Sequence, residues 1–251
     1  PIANGVRPMR LEIPGKQKPY VMAHRGNSAR CPENTLAAFR RALDEGADLI
    51  ETDLHVTADG AFVCIHDATV DRTTDGSGAV AGMTLAEIKR LSASYGFEGF
   101  EDERVPALAE VIAVLPPDVI LALELKADAF LDPEVGRRLV AEVEAASMLE
   151  RVVLLSFKLE RVQAVQRAEP RIPAGFITMK RLIPKPGADL LGPFWPILFA
   201  NPLYVRTARR RGQPVCPLDP WPDSRLWYYR WLGVDAVLTN DPGATVRALG
   251  R

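Results

Sequence analysis

The chain of 251 residues holds only three cysteines and three histidines, and aromatic side chains make up 7% of it. Cys31, Cys64 and Cys216 are odd in number and widely spaced, which supports neither a disulfide framework nor a zinc ligand set. Buried or idle thiols in a reducing cytoplasm are the expectation. There is also no excess of one charge. Lys and Arg total 31 against 32 Asp and Glu, a net charge of -1, so nothing chain-wide favours nucleic acid or an acidic membrane surface as partner. Long apolar runs are missing too. The first twenty residues carry Arg7, Arg10, Lys16 and Lys18 without a stretch of export-signal length. The most apolar later region, 190–205, is broken by Pro193, Pro196 and Pro202 and cannot be a transmembrane helix. The chain begins at Pro1 without a methionine, which leaves room for a removed upstream segment.

What is present is apolar content, 47% of the residues, enough for one large core. Short strand-type runs alternate with stretches of helical period, the pattern of a parallel sheet covered by helices. Eight strands are expected near 20–24, 48–54, 119–125, 152–156, 173–178, 188–191, 214–218 and 235–239. Eight strands in about 250 residues predict an α/β fold of the (β/α)₈ barrel type, a TIM barrel, as one domain over 1–251. A helix should follow Asn34 as its cap and bury Leu36, Phe39 and Leu43 before Gly46 ends it. Asp132-Pro133-Glu134 opens another helix, and a third ends in Arg209-Arg210-Arg211-Gly212, read as a solvated helix terminus. The turn Thr57-Ala58-Asp59-Gly60 is too short for a parallel crossover. It predicts an antiparallel hairpin of 54–56 with 61–65 after the second strand, folding His66 back towards Asp53. Residues 68–106, with a short helix at 84–91, read as an insertion capping the barrel mouth.

Barrel active sites lie at the carboxyl ends of the strands, and the chemistry-bearing residues fall there. Glu51 and Asp53 share one face of a strand because positions i and i+2 do, and Glu124 ends another strand, where a lone carboxylate would be costly to bury. Three acids without cysteine or paired histidine suit one hard divalent cation, Mg²⁺ or Ca²⁺, rather than zinc. His24 and His66 end strands facing the same mouth and fit a general acid and a general base. Arg25 and Lys126 can stabilise the charge that gathers on phosphoryl oxygens in a transition state. His55 shares the parity of Glu51 but lies further up the hairpin, at the rim. The turn Gly76-Ser77-Gly78 lacks the strand-to-helix setting of a phosphate loop. Trp227, Tyr228, Tyr229 and Trp231 read as helix packing, and Trp221 either packs or lines the mouth. Phe194, Trp195 and Phe199 either pack or form an apolar lip.

The run from His24-Arg25-Gly26 through Pro32-Glu33-Asn34-Thr35, Glu51-Thr52-Asp53, Asp59-Gly60, His66-Asp67, Arg72-Thr73-Thr74 and Glu124-Leu125-Lys126 resembles the glycerophosphodiester phosphodiesterase family. Ser156-Phe157 is similar to a later element of that family. The resemblance implies a barrel dependent on Mg²⁺ or Ca²⁺, with Glu51, Asp53 and Glu124 as ligands, His24 and His66 as acid and base, and Arg25 and Lys126 on the phosphate. It implies that 68–106 closes over the glycerol end of the substrate. The carboxyl-terminal half departs from the pattern. Val215-Cys216-Pro217-Leu218-Asp219 stands where the family usually has Trp-Thr-Val-Asn, and Thr239-Asn240-Asp241 where it usually has Thr-Asp.

The expected function is therefore metal-dependent hydrolysis of glycerophosphodiesters to glycerol 3-phosphate and an alcohol, by a cytoplasmic monomer or homodimer. The expected partner is the small-molecule substrate, with neither nucleic acid nor a transmembrane segment involved. Two alternatives differ in what would be observed. A lysophospholipase D-type enzyme would dock a lipid-bearing substrate on Phe194, Trp195, Ile197 and Leu198. A non-catalytic module would bind phosphorylated ligands without turnover.

Overall fold

The computed structural model describes residues 11–251; Arg7, Arg10 and the start of the chain lie outside the described residues. Its strands are β1 (Tyr20–His24), β2 (Leu49–Val56), β3 (Phe62–Cys64), β4 (Ile120–Leu125), β5 (Val152–Ser156), β6 (Ala174–Thr178), β7 (Leu190–Pro193) and β8 (Ala236–Thr239). In space the order is β7-β6-β5-β4-β2-β1-β8, all parallel, with β3 antiparallel to β2 at the side. The gap between β7 and β8 is filled by residues 214–218, which make bridges rather than a regular strand, because Pro214 and Pro217 have no N–H to donate. Cys216 N donates to Leu191 O at 2.9 Å and Leu218 N to Pro193 O at 2.9 Å on one side. On the other, Asp235 N donates to Val215 O at 2.9 Å. The eight staves of the expected barrel are thus present and the ring closes.

Alternation along the strands builds two apolar layers. Val21, Ala23, Ile50, Leu121 and Leu123 pack outward against the helices. Met22, Leu49, Ala122, Val153 and Leu238 pack inward, where Leu11 and Ile13 join them. The inward rows continue into the site, two residues further along each strand: Met22 leads to His24, Leu49 to Glu51 and then Asp53, and Ala122 to Glu124.

The helices are α1 (Leu36–Asp44), α2 (Leu85–Ile88), α3 (Leu108–Val114), α4 (Pro133–Ala145), α5 (Leu159–Gln166), α6 (Trp195–Ala200), α7 (Tyr204–Arg209), α8 (Leu226–Leu232) and α9 (Pro242–Ala248). Asp132 caps α4 as expected, its side chain accepting from Glu134 N. Helix α1 is capped by Thr35 and not by Asn34. The Thr35 side chain accepts from Ala38 N, while Asn34 takes a left-handed φ of 56° and turns its amide into the barrel. Between β6 and β7, where an outer helix would usually pass, 179–189 runs without helix. The hairpin expected after β2 forms, and Ile65 N donates to Asp53 O at 3.0 Å, which returns His66 to the end of β2. Residues 68–106 build a small core of their own, in which Val70, Val80, Ile88 and Val105 pack on Val63 and Ile65 of that hairpin.

Candidate active site

Strand register brings the acids together. In the parallel ladders His24 stands opposite Glu51, and Asp53 opposite Glu124. One carboxylate oxygen from each of Glu51, Asp53 and Glu124 lies within 4.8 Å of the others, and all three residues are buried. Burial pushes the Glu51 carboxyl well above the usual carboxylate range, helped by the charges of Asp53 and Glu124. Burial, with the Asp53 charge, also raises Glu124. Burial also opposes the charge of Asp53, but Arg25 and Lys126 outweigh it and hold that carboxyl low.

The two cations stand where that balance requires. Arg25 Nε lies 3.1 Å from Asp53 Oδ2, an ion pair without hydrogen-bond alignment, and Arg25 Nη1 donates to Glu33 Oε1 at 2.9 Å. Lys126 Nζ donates to Glu124 Oε1 at 3.0 Å and lies 3.5 Å from Asp53 Oδ1. Arg25 reaches this position through a left-handed backbone, φ 57°, followed by Gly26 at φ 78°. A Cβ on Gly26 would meet the Ala38 backbone at 2.6 Å, so only glycine fits under α1. The turn also aims Arg25 N at Glu51 Oε2, at 3.0 Å. Ser156 Oγ donates to Leu125 O at 3.0 Å, steadying the strand end that carries Lys126.

Each histidine has an orienting partner. His24 Nδ1 lies 2.7 Å from Asn240 Oδ1; an amide oxygen can only accept, so Nδ1 carries the proton and Nε2 is left with its lone pair. Burial, aided by the Arg25 charge, pushes the His24 pKa down to about 4, so the ring is neutral at ordinary pH. His66 Nδ1 lies 2.5 Å from Asp67 Oδ1, and Asp67 in turn accepts from Arg72 Nε at 2.6 Å. Arg72 Nη2 reaches Glu33 Oε1 at 2.7 Å, so one carboxylate joins the arginine of the mouth to the arginine of the insertion. His55 is not a rim residue. It is buried, and its Nε2 lies 3.2 Å from His66 O, which fixes the loop carrying His66.

The expected site residues thus converge at one end of the barrel. The sequence reading quoted Glu33, Asn34, Asp67 and Asn240 but gave none of them a role in the layer behind the site, which they form. Asn34 Nδ2 donates to Asp53 Oδ2 at 2.9 Å while its Oδ1 accepts from Thr52 Oγ1 at 2.7 Å. Asparagine directly before a helix, a residue type tolerant of positive φ, was the available signal. Asn240 had none, because only barrel closure places it beside His24.

The donor set fits a hard cation. Every candidate ligand is a carboxylate oxygen, and Asp53 Oδ1 is buried with no hydrogen-bond partner, an orphan that an ion would satisfy. Across the mouth from Glu51 and Glu124 the wall is apolar, formed by Leu155, Ile177, Cys216, Leu218 and Leu238. Two other expectations fail here. Ile197 and Leu198 are core residues and no part of a lip, and Trp227 and Trp231 are largely exposed instead of buried against the barrel.

Residues 24–244 match the model of the glycerophosphoryl diester phosphodiesterase family. The chain is 37% identical over 236 residues to the glycerophosphodiester phosphodiesterase of Caldanaerobacter subterraneus subsp. tengcongensis, covering 90% of this chain and 95% of the other. Among solved structures it superposes with TM-score 0.82 on an Oleispira antarctica phosphodiesterase in complex with the product sn-glycerol-3-phosphate, at 27% identity over 93% of this chain and 97% of that one. The glycerophosphodiester phosphodiesterase of Agrobacterium tumefaciens gives a TM-score of 0.80 at 27% identity, covering 91% and 99%.

Proposed function

The chain belongs to the glycerophosphoryl diester phosphodiesterase family, and from that premise we propose that it hydrolyses a glycerophosphodiester to glycerol 3-phosphate and an alcohol with one divalent cation, Mg²⁺ or Ca²⁺. The observation that carries this reading is the convergence of three buried carboxylates, an orphaned Asp53 oxygen, two cations and His24 on one mouth. Glu51, Asp53 and Glu124 would hold the ion. When bound, it supplies Lewis-acid polarisation of a phosphoryl oxygen and a template for the attacking oxygen.

The chain's own residues do the rest. Neutral His24 presents Nε2 as the base, able to take a proton from water or from the substrate's glycerol 2-hydroxyl. Asp67 beside Nδ1 orients the His66 ring, which leaves its Nε2 as the group that would protonate the departing alkoxide. Arg25 and Lys126 oppose the charge that develops on the phosphoryl oxygens. The segment 68–106 closes the glycerol side, tied to the site through Arg72 and Glu33. We place residues 1–251 in one domain and the protein in the cytoplasm, as a monomer or homodimer. Free, buried thiols at Cys31, Cys64 and Cys216 support that placement. Among the described residues no helix is long and apolar enough to cross a membrane.

The test is release of glycerol 3-phosphate from a panel of glycerophosphodiesters, with and without chelator. Chelation should abolish turnover, and Mg²⁺ or Ca²⁺ should restore it. His24→Ala and His66→Ala should each lower turnover by about 10²–10⁴-fold with the fold retained. Unchanged rates in both variants, or full activity in chelator, would defeat the proposal. A second reading, lysophospholipase D-type action, is favoured by the apolar wall opposite the acids. Preference for lysophosphatidylcholine over glycerophosphocholine would select it. Binding of phosphorylated ligand with no turnover would point to a non-catalytic module.

A further inference from the structure

Three of the four tryptophans stand in water: Trp221, Trp227 and Trp231 are 59%, 68% and 70% exposed, although tryptophan is usually well buried. Trp227 and Trp231 are one turn apart and share a face of α8. Between them and α6 the rings are continuous, since Tyr228 stacks on Trp231 at 5.7 Å and on Phe199 at 4.3 Å. Asn201 Nδ2, at the end of α6, donates to Leu182 O at 2.8 Å and draws exposed Leu182 and Ile183 to the same side. Eleven large hydrophobic side chains are exposed among the described residues, and eight of them fall between residues 179 and 231. Such clustering marks an interaction surface, where scattered exposure would not.

Charge is distributed just as unevenly. Residues 180–211 contain seven lysines and arginines and a single carboxylate, Asp189, in a chain whose net charge is only -1. Hydrogen bonds tie the two ends of this cationic stretch together and fasten it to the end of α8. Arg211 Nη1 donates to Pro184 O at 3.1 Å, Gln213 Nε2 to Lys185 O at 2.9 Å, and Arg209 Nη2 to Gly233 O, past the end of α8, at 2.6 Å. A second copy of this chain is a poor occupant, because two-fold pairing would set cations against cations. Indole rings and aliphatic side chains among Lys and Arg match instead the interface of a bilayer with acidic headgroups, where rings settle at headgroup depth and cations are attracted to the surface.

We propose that the face formed by 179–189, α6, α7 and α8 docks this protein on the surface of an anionic lipid bilayer. The face reaches the barrel mouth, since Met179 and Lys180 follow the carboxyl end of β6 and Trp221 follows 214–218. Docking therefore holds the site beside the lipid. It is independent of the catalytic assignment.

The experiment is sedimentation of the full chain with unilamellar vesicles of phosphatidylcholine alone or with one-third phosphatidylglycerol, together with tryptophan emission. Binding to the phosphatidylglycerol vesicles, with a blue shift, at least about tenfold tighter than to neutral ones and weakened by salt, is expected from a contribution of roughly fivefold per cation near such a surface. The double variant Trp227→Ser/Trp231→Ser and, separately, Arg206→Glu/Arg210→Glu should each lose about tenfold or more in affinity, with circular dichroism and turnover of a soluble substrate unchanged. These four side chains are exposed, so folding should survive their replacement. Absence of vesicle binding would overturn the proposal, as would equal binding to neutral vesicles or variants that bind like the parent. A dimer that the tryptophan variant dissociates would assign the face to a second copy and overturn it equally.

Discussion

The two halves of the barrel mouth are built on opposite physics. On the side of β1, β2 and β4 every strand end carries a charged or titratable group, and almost every polar atom is held by a second side chain, as Asn34 holds Asp53 and Asn240 holds His24. On the side of β6, β7 and 214–218 the inward residues are apolar, and the outer layer is an irregular segment and two six-residue helices. Buried charge costs several kcal/mol per ion unless its partners are fixed, so the first half is over-determined. The second half carries no such constraint, and there leaving-group choice and surface docking can vary without disturbing the acids.

The comparison can be broken most sharply at the acids. Asp53→Ala should lower turnover by about 10³-fold or more, because it removes one of the three proposed cation ligands and the carboxylate that Arg25 and Lys126 share; a rate assay across added Mg²⁺ and Ca²⁺ checks it, and activity within tenfold of the parent would refute the polar half as the reacting half. The supporting layer comes next. Asn34→Ala strands Asp53 Oδ2 and Thr52 and should cost roughly 1–3 kcal/mol in denaturant unfolding, while an equally buried apolar loss across the barrel would leave turnover far less affected.

A pH prediction isolates His24. Its folded pKa, about 4, lies below the unfolded value of 6.5, so the neutral ring contributes stability that is complete above pH 6.5 and is lost as pH falls towards about 4. The parent and His24→Gln, both in chelator, should therefore differ most above pH 6.5 and converge on acidification. A constant difference would show that the ring is not desolvated as the fold implies. The smallest effect belongs to the apolar wall. Leu218→Ser should reduce selectivity for an apolar leaving group by about tenfold or less and leave small substrates unchanged, as expected for one side chain in a hydrophobic pocket. A large loss on every substrate would mean that the two halves are not separable.

Much of the polar half was legible in the sequence because its logic is local. Strand parity aligns Glu51 with Asp53, and the short turn at 57–60 forces the hairpin that returns His66. What escaped was non-local or cooperative. Asn34 looked like a helix cap because it precedes one, but Thr35 took that role and freed the asparagine for Asp53. Asn240 is 216 residues from His24 and meets it only when β8 closes on β1. The apolar half was read least well. Trp227, Tyr228, Tyr229 and Trp231 all read as packing residues, but α8 turns only the two tyrosines inward. Net charge concealed the basic face, since a sum over the chain carries no positions.

By itself the sequence determined the alternating architecture, the family and the side chains able to react, because hydrophobic period, turn length and residue chemistry act over a few neighbours at a time. The tertiary structure alone decided how closely the three carboxylates approach, which groups orient the two imidazoles, and where the tryptophans and cations gather. Those are distances between residues far apart in the chain, and they exist only once the sheet has curled and closed.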